Sequence, residues 1–411
     1  MEQTPKLKTS AALRFIFITI FIDVMGLAII IPVIPDLLRE LGHVDYAAAS
    51  GINGLLTATY ASMQVLFSPV MGNLSDRFGR RPIMLISLLG FSIDYTFMAF
   101  APTVFWLFVG RTIAGITGAT MSTATAYIAD ISTGDKRAAN FGIVGAASGL
   151  GFIIGVSGGA FLGEINIKFP FMMAAAAALI NAAYGYFVLP ESLDKEHRRK
   201  FEWKRANPIG SFRQLSKYSS LIGLAVAFTL VYIAQKAVEY QLPFYVYEKF
   251  EWTKKSVGFL GLFIGMLLIF IQGYLIRKLI PKWGLIQNIF VGLISYGVGL
   301  LLIAFASYGW MLYLYMIPYC FGGISGPALQ GFITSKFAPN EQGELQGGLS
   351  LLSSLSLIIG PVLMGYTFNI FTLKGSSAYF PGAPYILGAL LMLISTLLAW
   401  RSIKQLSNPA R

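Results

Sequence analysis

Histidine and cysteine are almost missing from this chain: His43, His197 and Cys320 are all that its 411 residues hold. One cysteine inside an apolar run excludes an intrachain disulfide and a thiolate cluster, and two histidines in polar connections give no imidazole metal site. No metal and no cofactor is expected. Charge is scarce as well: 12% of residues carry it, against 55% hydrophobic ones and a mean hydropathy of +0.66. That balance excludes a soluble globular domain and fits a polytopic membrane protein with the lipid bilayer as its solvent. Acidic residues are the rarer sign, 19 against 31 lysines and arginines, for a net charge of +12. In a soluble protein this excess would suggest nucleic acid. Here the basic residues gather in short loops between apolar runs, the pattern that orients membrane proteins, so no nucleic-acid partner is expected. The sequence has no glycine-rich phosphate loop with a lysine and no nucleophile elbow, so nothing supports an enzyme.

What the chain has in quantity is apolar runs of the roughly 20 residues that a bilayer-spanning helix needs at ~1.5 Å per residue. Twelve are expected, near 13–38, 51–74, 83–101, 104–129, 140–163, 170–189, 221–247, 256–276, 285–305, 309–332, 343–371 and 382–401. The first follows Lys6 and Lys8 and passes signal-peptide length without a small-residue cleavage site. One side of the membrane receives Arg77, Arg80, Arg81, Lys136, Arg137, then Lys195 to Lys217, then Arg277, Lys278, Lys282, Lys336, Arg401 and Lys404. That asymmetry predicts a multi-pass protein of the cell (inner) membrane with both termini cytoplasmic. The longest polar stretch, Pro190 to Ser220, follows six spans, dividing the chain into an N-terminal six-helix bundle (1–190), a basic cytoplasmic linker (191–220) and a C-terminal six-helix bundle (221–411). No segment is long enough for a nucleotide-binding domain, so uphill work would draw on an ion gradient. Gly115-Ile116-Thr117-Gly118 is echoed 208 positions later by Gly323-Ile324-Ser325-Gly326, and Leu150 to Gly155 is echoed 205 positions later by Leu355 to Gly360. Chance likeness among glycine-rich helices is one explanation. The other is two parallel six-helix repeats, the architecture of an all-α transporter that rocks its halves about a midplane site.

Three charges lie within these spans: Asp23, Asp94 and Arg111. Intramembrane charges are expensive, and each marks a partner or a water-filled path. Counting inward from Pro82, Asp94 sits ~18 Å deep, and counting from Val104 on the opposite side, Arg111 sits ~10 Å deep, which brings them to similar height in a ~30 Å core. A carboxylate paired with a guanidinium stays ionised, whereas one without a partner in an apolar setting takes up a proton more easily. Asp23 is therefore the better proton site. Asp94 and Arg111 either shape the pathway or form a structural pair. Span seven adds Lys236 and Glu239, three apart on one helical face, for substrate or proton handling or for structure. Gln64, Gln235, Gln272 and Gln330 are lone amides within spans, each bonding a neighbouring helix or a ligand. With Tyr60 and other aromatics, a few of them on inward faces would suit a planar polycyclic ligand.

Between spans two and three runs Gly72-Asn73-Leu74-Ser75-Asp76-Arg77-Phe78-Gly79-Arg80-Arg81-Pro82. Gly72 would let one helix end approach a neighbour, Gly79 permits a tight turn, and Pro82 suits a first helical turn. Asp76 can accept from helix N-terminal amides or from an adjacent arginine, and such contacts could latch the two halves in one state.

This loop resembles the signature of the major facilitator superfamily. Asp23 to Gly26 followed by Pro32 to Pro35, Tyr60 to Gln64, Ser92 to Tyr95, Gly110-Arg111 through Thr120, Pro327 to Gly331 and Gly343 to Gly347 resemble its tetracycline/proton antiporters over nearly the whole chain. The resemblance implies efflux of a drug-like small molecule driven by inward proton flow, with Asp23, Asp94 and Arg111 at membrane positions important in that family. Departures touch the substrate. Aligned on Gln272, Leu268 stands where the Gram-negative exporters carry a histidine, Tyr296 stands where they carry an aspartate, and Val156 follows Gly155 where antiporters carry proline. A proton-coupled importer of a small polar solute on the same fold is the alternative, since fold fixes neither cargo nor direction.

Overall fold

In this computed structural model the described residues are 5–132, 136–194, 196, 198–199, 201, 222–336, 342–373, 375 and 378–407. Most of the basic connection, with His197, Lys195, Lys200 and Lys204 to Lys217, lies outside them. The described secondary structure is helical throughout. The N-terminal part runs α1 (Pro5–Ile29), α2 (Ile34–Gly42), α3 (Tyr46–Phe78), α4 (Arg80–Phe100), α5 (Val104–Thr117), α6 (Thr120–Ile131), α7 (Lys136–Ile165) and α8 (Phe169–Val188). The C-terminal part runs α9 (Ile222–Glu239), α10 (Leu242–Phe250), α11 (Lys254–Leu268), a π-helical turn (Ile269–Leu275) and α12 (Ile276–Ala304). It continues with α13 (Met311–Phe321), a 3-10 turn (Gly322–Ile324), α14 (Ser325–Thr334), α15 (Gln342–Thr372) and α16 (Ala383–Ser407).

Among the described residues, nine helical stretches are by length and composition able to cross a membrane. One of them, Lys254–Ala304, bends at Gly284 (φ 74°, ψ 170°), a backbone state open to glycine, and so supplies two spans. With α3 and the α13–α14 run the spans number twelve. Four of the expected spans are broken rather than continuous. Span one stops at Ile29 and restarts with Pro35 in the first turn of α2, span four breaks at Gly118, span seven at Tyr240 and Gln241, and span ten passes through the 3-10 turn. Irregular backbone at such depth is tolerated only where protein or a cavity covers it.

The chain is organised in two compact units. The first holds residues 1–42, 59–207 and 254–259, the second 43–58, 208–253 and 260–411. In the first, α1 packs on α7 and α8, and α4 on α5 and α8. In the second, α9 packs on α15 and α16, and α12 on α13 and α16. Numbered by span, these are one on five and six and three on four and six, then seven on eleven and twelve and nine on ten and twelve, the same pattern shifted by six. Pro35 and Pro243, each restarting a helix after a break, are 208 positions apart, the offset of the first sequence echo. Chance likeness does not produce a shared packing scheme. The two halves are parallel repeats.

The first unit's core joins Phe15, Ile16 and Ile20 of α1 to Met84 and Leu88 of α4 and to Tyr127 and Ile128 of α6. Gly151, Gly155 and Gly159 of α7 lie against the α1 backbone at Phe21, Met25 and Ile29, where any side chain would collide. That close approach is the one expected of small residues in membrane helices. Gly145, Gly149 and Gly158 of the same helix have no described atom within 4 Å of where a side chain would be. Large apolar side chains such as Phe187 and Ile180 point outward, 82% and 68% exposed, as a lipid-facing surface requires. At the helix ends, Lys254 pairs with Asp36 at 2.5 Å and Ser157 Oγ donates to Gly258 O at 3.3 Å, both within the first unit. In the second, Ser50 Oγ donates to Gln241 Oε1 at 2.7 Å.

Candidate functional site

Asp94 and Arg111 meet within the first unit, as their counted depths predict. The carboxylate, 0% exposed on α4, accepts from Arg111 Nε at 3.1 Å and again from Nη2, a two-pronged ion pair. Arg111 Nη2 also reaches Met98 Sδ at 3.5 Å, and the guanidinium lies 5.5 Å from the centre of the Tyr60 ring. Gly110 makes room for the pair, since a side chain there would strike Asp94 Oδ1. Such a pair is costly to break, because either partner alone would be an uncompensated buried charge.

Asp23 lies apart from that clamp. It is 8% exposed on α1, and its Oδ1 has no hydrogen-bond partner among the described residues. Tyr95, the residue after Asp94, reaches from α4 to α1. Tyr95 is buried, its hydroxyl also lacks a partner, and it interacts electrostatically with Arg111, Asp23, Asp94 and Tyr60. Its ring tip fills the space left by Gly26, one turn beyond Asp23 on the same face of α1. Two unpartnered oxygens thus sit beside a neutralised ion pair. The Gln64 amide donates to Tyr60 Oη at 3.0 Å and to Gly118 O at 3.2 Å, holding the carbonyl that the break in span four exposes.

The loop after α3 forms a second charged cluster. Gly79 sits at φ +111°, where glycine is favoured, and a side chain there would run into the Glu191 carboxylate. That carboxylate accepts from the first two amides of α4, Arg80 N at 2.8 Å and Arg81 N at 3.3 Å. Of the two partners expected for Asp76, the arginine is the one found: Asp76 Oδ1 takes Arg80 Nη1 at 2.7 Å, and the amides at the start of α4 are taken by Glu191 instead. Arg80 Nε also reaches Asp130 at 3.3 Å, which accepts from Ser192 Oγ at 3.0 Å. Arg81 donates to Tyr186 O, and Arg77 lies over the Phe78 ring at 5.0 Å. All of these partners belong to the first unit. The expectation for Gly72 is corrected: no described atom lies within 4 Å of where its side chain would be.

In the second unit Lys236, 8% exposed, pairs with Glu239 as their spacing predicts. Gln235 Nε2 donates to Tyr296 Oη at 3.1 Å, and Tyr296 packs edge-on to Tyr319 at 5.1 Å and across Gly322. The π-helical turn carries Gln272, whose amide approaches Gly323 together with the Tyr296 hydroxyl. Gln330 stands away from this group and donates to Gln346 Oε1 at 3.0 Å.

The architecture and these motifs agree with what other proteins show. The family model described as Major Facilitator Superfamily matches residues 16–347. This chain belongs to the major facilitator superfamily. Among facilitators, the class C tetracycline resistance protein of Escherichia coli is 37% identical over 388 residues, covering 94% of this chain and 96% of that one. The class H tetracycline resistance protein of Pasteurella multocida is 35% identical, covering 91% and 92%. Multidrug resistance protein 2 of Bacillus subtilis (strain 168) is 31% identical, covering 85% and 87%. Among solved structures, the nucleoside transporter NupG superposes with a TM-score of 0.76 at 14% identity over 98% of this chain and 99% of its own. A D-xylose-proton symporter gives 0.74 at 17% identity over 96% and 97%. At those identities what is shared is the facilitator fold. The chain is thus a multi-pass membrane transporter and not an enzyme.

Residue counting misses three groups of this facilitator. Tyr95 is visible only as the neighbour of Asp94, and its approach to α1 depends on Gly26 of another helix. Glu191 and Asp130 lie far from the loop in sequence. The signal for Glu191 is a carboxylate directly after Pro190, on the basic side where span six ends.

Proposed function

We propose that this facilitator exports an amphipathic, drug-like compound from the cytoplasm in exchange for protons, by alternating access of its two repeats. The observation that carries the reading is the unequal treatment of the two buried aspartates. Asp94 has its charge matched by Arg111, whereas Asp23 has an oxygen without a partner among the described residues. A buried carboxylate with no fixed counter-charge is compensated when a proton or cation arrives, so Asp23 is the coupling site and Tyr95 its link to the pair. The tetracycline resistance relatives support drug efflux, and the multidrug resistance relatives support a cargo broader than tetracycline. Gln64, Tyr60, Gln235, Lys236, Glu239, Gln272 and Gln330 supply the polar and aromatic groups for substrate. Gly72 to Arg81 make up the gating loop. The protein resides in the cell (inner) membrane with both termini cytoplasmic, and 1–190, 191–220 and 221–411 act as bundle, linker and bundle.

The test is a drug panel on cells with and without this chain, before and after the proton gradient is collapsed. Lower drug accumulation that vanishes on collapse supports export; higher accumulation would instead make the protein an importer. In proteoliposomes, Asp23→Asn is expected to reduce gradient-driven transport to the level of empty vesicles while leaving substrate exchange between equal pools intact. Uphill transport by that variant with unchanged pH dependence would remove Asp23 from coupling.

A further inference from the structure

Span eight has two unlike faces. On one, Ile271 is buried and the Gln272 amide approaches Gly323. On the other, Met266, Ile269, Phe270 and Tyr274 are large and exposed, and with Gly273 they line an open, largely apolar groove of about 610 Å³. The groove follows the π-helical turn Ile269–Leu275, a rare form of helix that often marks a functional position. Gly273 keeps it open, since no described atom lies within 4 Å of where a side chain would stand. Phe270 and Tyr274 stack as one wall, their ring centres 5.6 Å apart. At the end toward the following loop, the Lys278 ammonium donates to Tyr274 Oη and lies 4.4 Å from the centre of that ring, which fixes a cation at the mouth. Arg277 beside it and Lys282 one turn on are exposed as well. Between Glu251 and Glu341 the sequence has no acidic residue, and no described carboxylate pairs with any of the three.

We propose that this groove holds a phospholipid with an anionic headgroup, its phosphate on Lys278 and Arg277 and one acyl chain along Met266 to Tyr274. From Met266 to Lys278 is twelve residues, ~18 Å at α-helical rise, close to the ~15 Å of hydrocarbon in one leaflet. The apolar length and the cationic end therefore match a lipid's tail and head. A water-soluble anion would meet the charges and leave the groove empty, whereas a neutral lipid would fill the groove and leave the cations unmatched. An anionic lipid satisfies both, and basic side chains at a bilayer surface attract such headgroups. The site is separate from Asp23, Asp94 and Arg111 and does not depend on what the transporter moves.

The experiment places the full-length protein in liposomes of equal parts phosphatidylglycerol and phosphatidylcholine, with one lipid at a time carrying a diazirine midway along an acyl chain. After irradiation, labelled peptides are read by mass spectrometry, and adducts at Leu179 and Ile180, on the exposed face of α8, serve as the reference for unselective contact. Adducts on residues 266–274 of the unaltered protein are expected to exceed that reference, and to favour the phosphatidylglycerol probe about fivefold, the scale of one basic residue at a membrane surface. Lys278→Gln is expected to bring that preference to about one and Lys278→Arg to keep it, while Gly273→Trp lowers the adducts from both probes. Equal labelling by the two probes in the unaltered protein overturns the proposal, as do adducts no denser at the groove than on α8. A preference that survives Lys278→Gln overturns it too, and so does loss of the adducts when tetracycline is added, which would make the groove a path for drug.

Discussion

At the scale of residues, the membrane charges divide by what compensates them. The Asp94–Arg111 pair is two-pronged and buried, so removing one partner leaves the other stranded, at a cost of about 3–5 kcal/mol in comparable buried pairs. Arg111→Ala is accordingly expected to lower the melting temperature in detergent sharply, and Asp94→Asn combined with Arg111→Gln to recover most of the loss without restoring transport. Recovery of transport by the double variant would make the pair structural. That the two would meet was legible in the sequence, because helical rise converts residue counts into depth. Tyr95 was not. Its importance comes from the Gly26 gap on another helix, and such a gap has no local signature.

At the scale of elements, the spans were legible and their breaks were not. Apolar length marks a membrane crossing whether or not its helix is continuous, so span one read as a single run although it stops at Ile29 and restarts at Ile34. Pro32 and Pro35 were visible, but a proline is tolerated inside a membrane helix, because neighbouring helices can satisfy the freed backbone groups, so neither marked a break. The start of α4 shows the opposite case: Gly79 signalled the turn, yet its capping carboxylate comes from Glu191, more than 100 residues away. Glu191→Ala removes an acceptor of four backbone amides, those of Arg80 and Arg81 at the start of α4 and of Ser192 and Leu193 beside it, and is expected to destabilise by about 1 kcal/mol. Gly79→Ala meets both the positive φ and the carboxylate, so its cost should exceed that value. In Gly79→Ala with Glu191→Ala the collision disappears and only the backbone strain remains, and the pair should therefore be less damaging than the sum of its parts. Thermal unfolding of the four proteins in detergent reads the difference directly; simple additivity would mean that the glycine and the carboxylate do not meet.

At the scale of the whole molecule, the repeat is carried by packing and breaks more than by residue identity. Two short echoes in the sequence became a common scheme of helix contacts and a pair of prolines at the same offset, while the charges differ between halves. The first repeat holds Asp23, Asp94 and Arg111, and the second holds Lys236 and Glu239, with Tyr296 hydrogen-bonded to Gln235. On the proposed topology, six spans per repeat put the two termini and the connection between the repeats on one side, and the excess of lysine and arginine there is the basis for proposing that side as the cytoplasm. Cys320 is the sole cysteine and is buried, so Cys320→Ser gives a background on which single cysteines report topology. A cysteine replacing Gln3, Ser216 or Ala410 is expected to react with an impermeant maleimide only in inside-out vesicles, and one replacing His43 or Ser376 only in right-side-out ones. Labelling of position 3 and position 216 from opposite faces would leave an odd number of crossings in the first half. That outcome would break the six-plus-six repeat, and the proposed alternating access of two six-span repeats would fall with it.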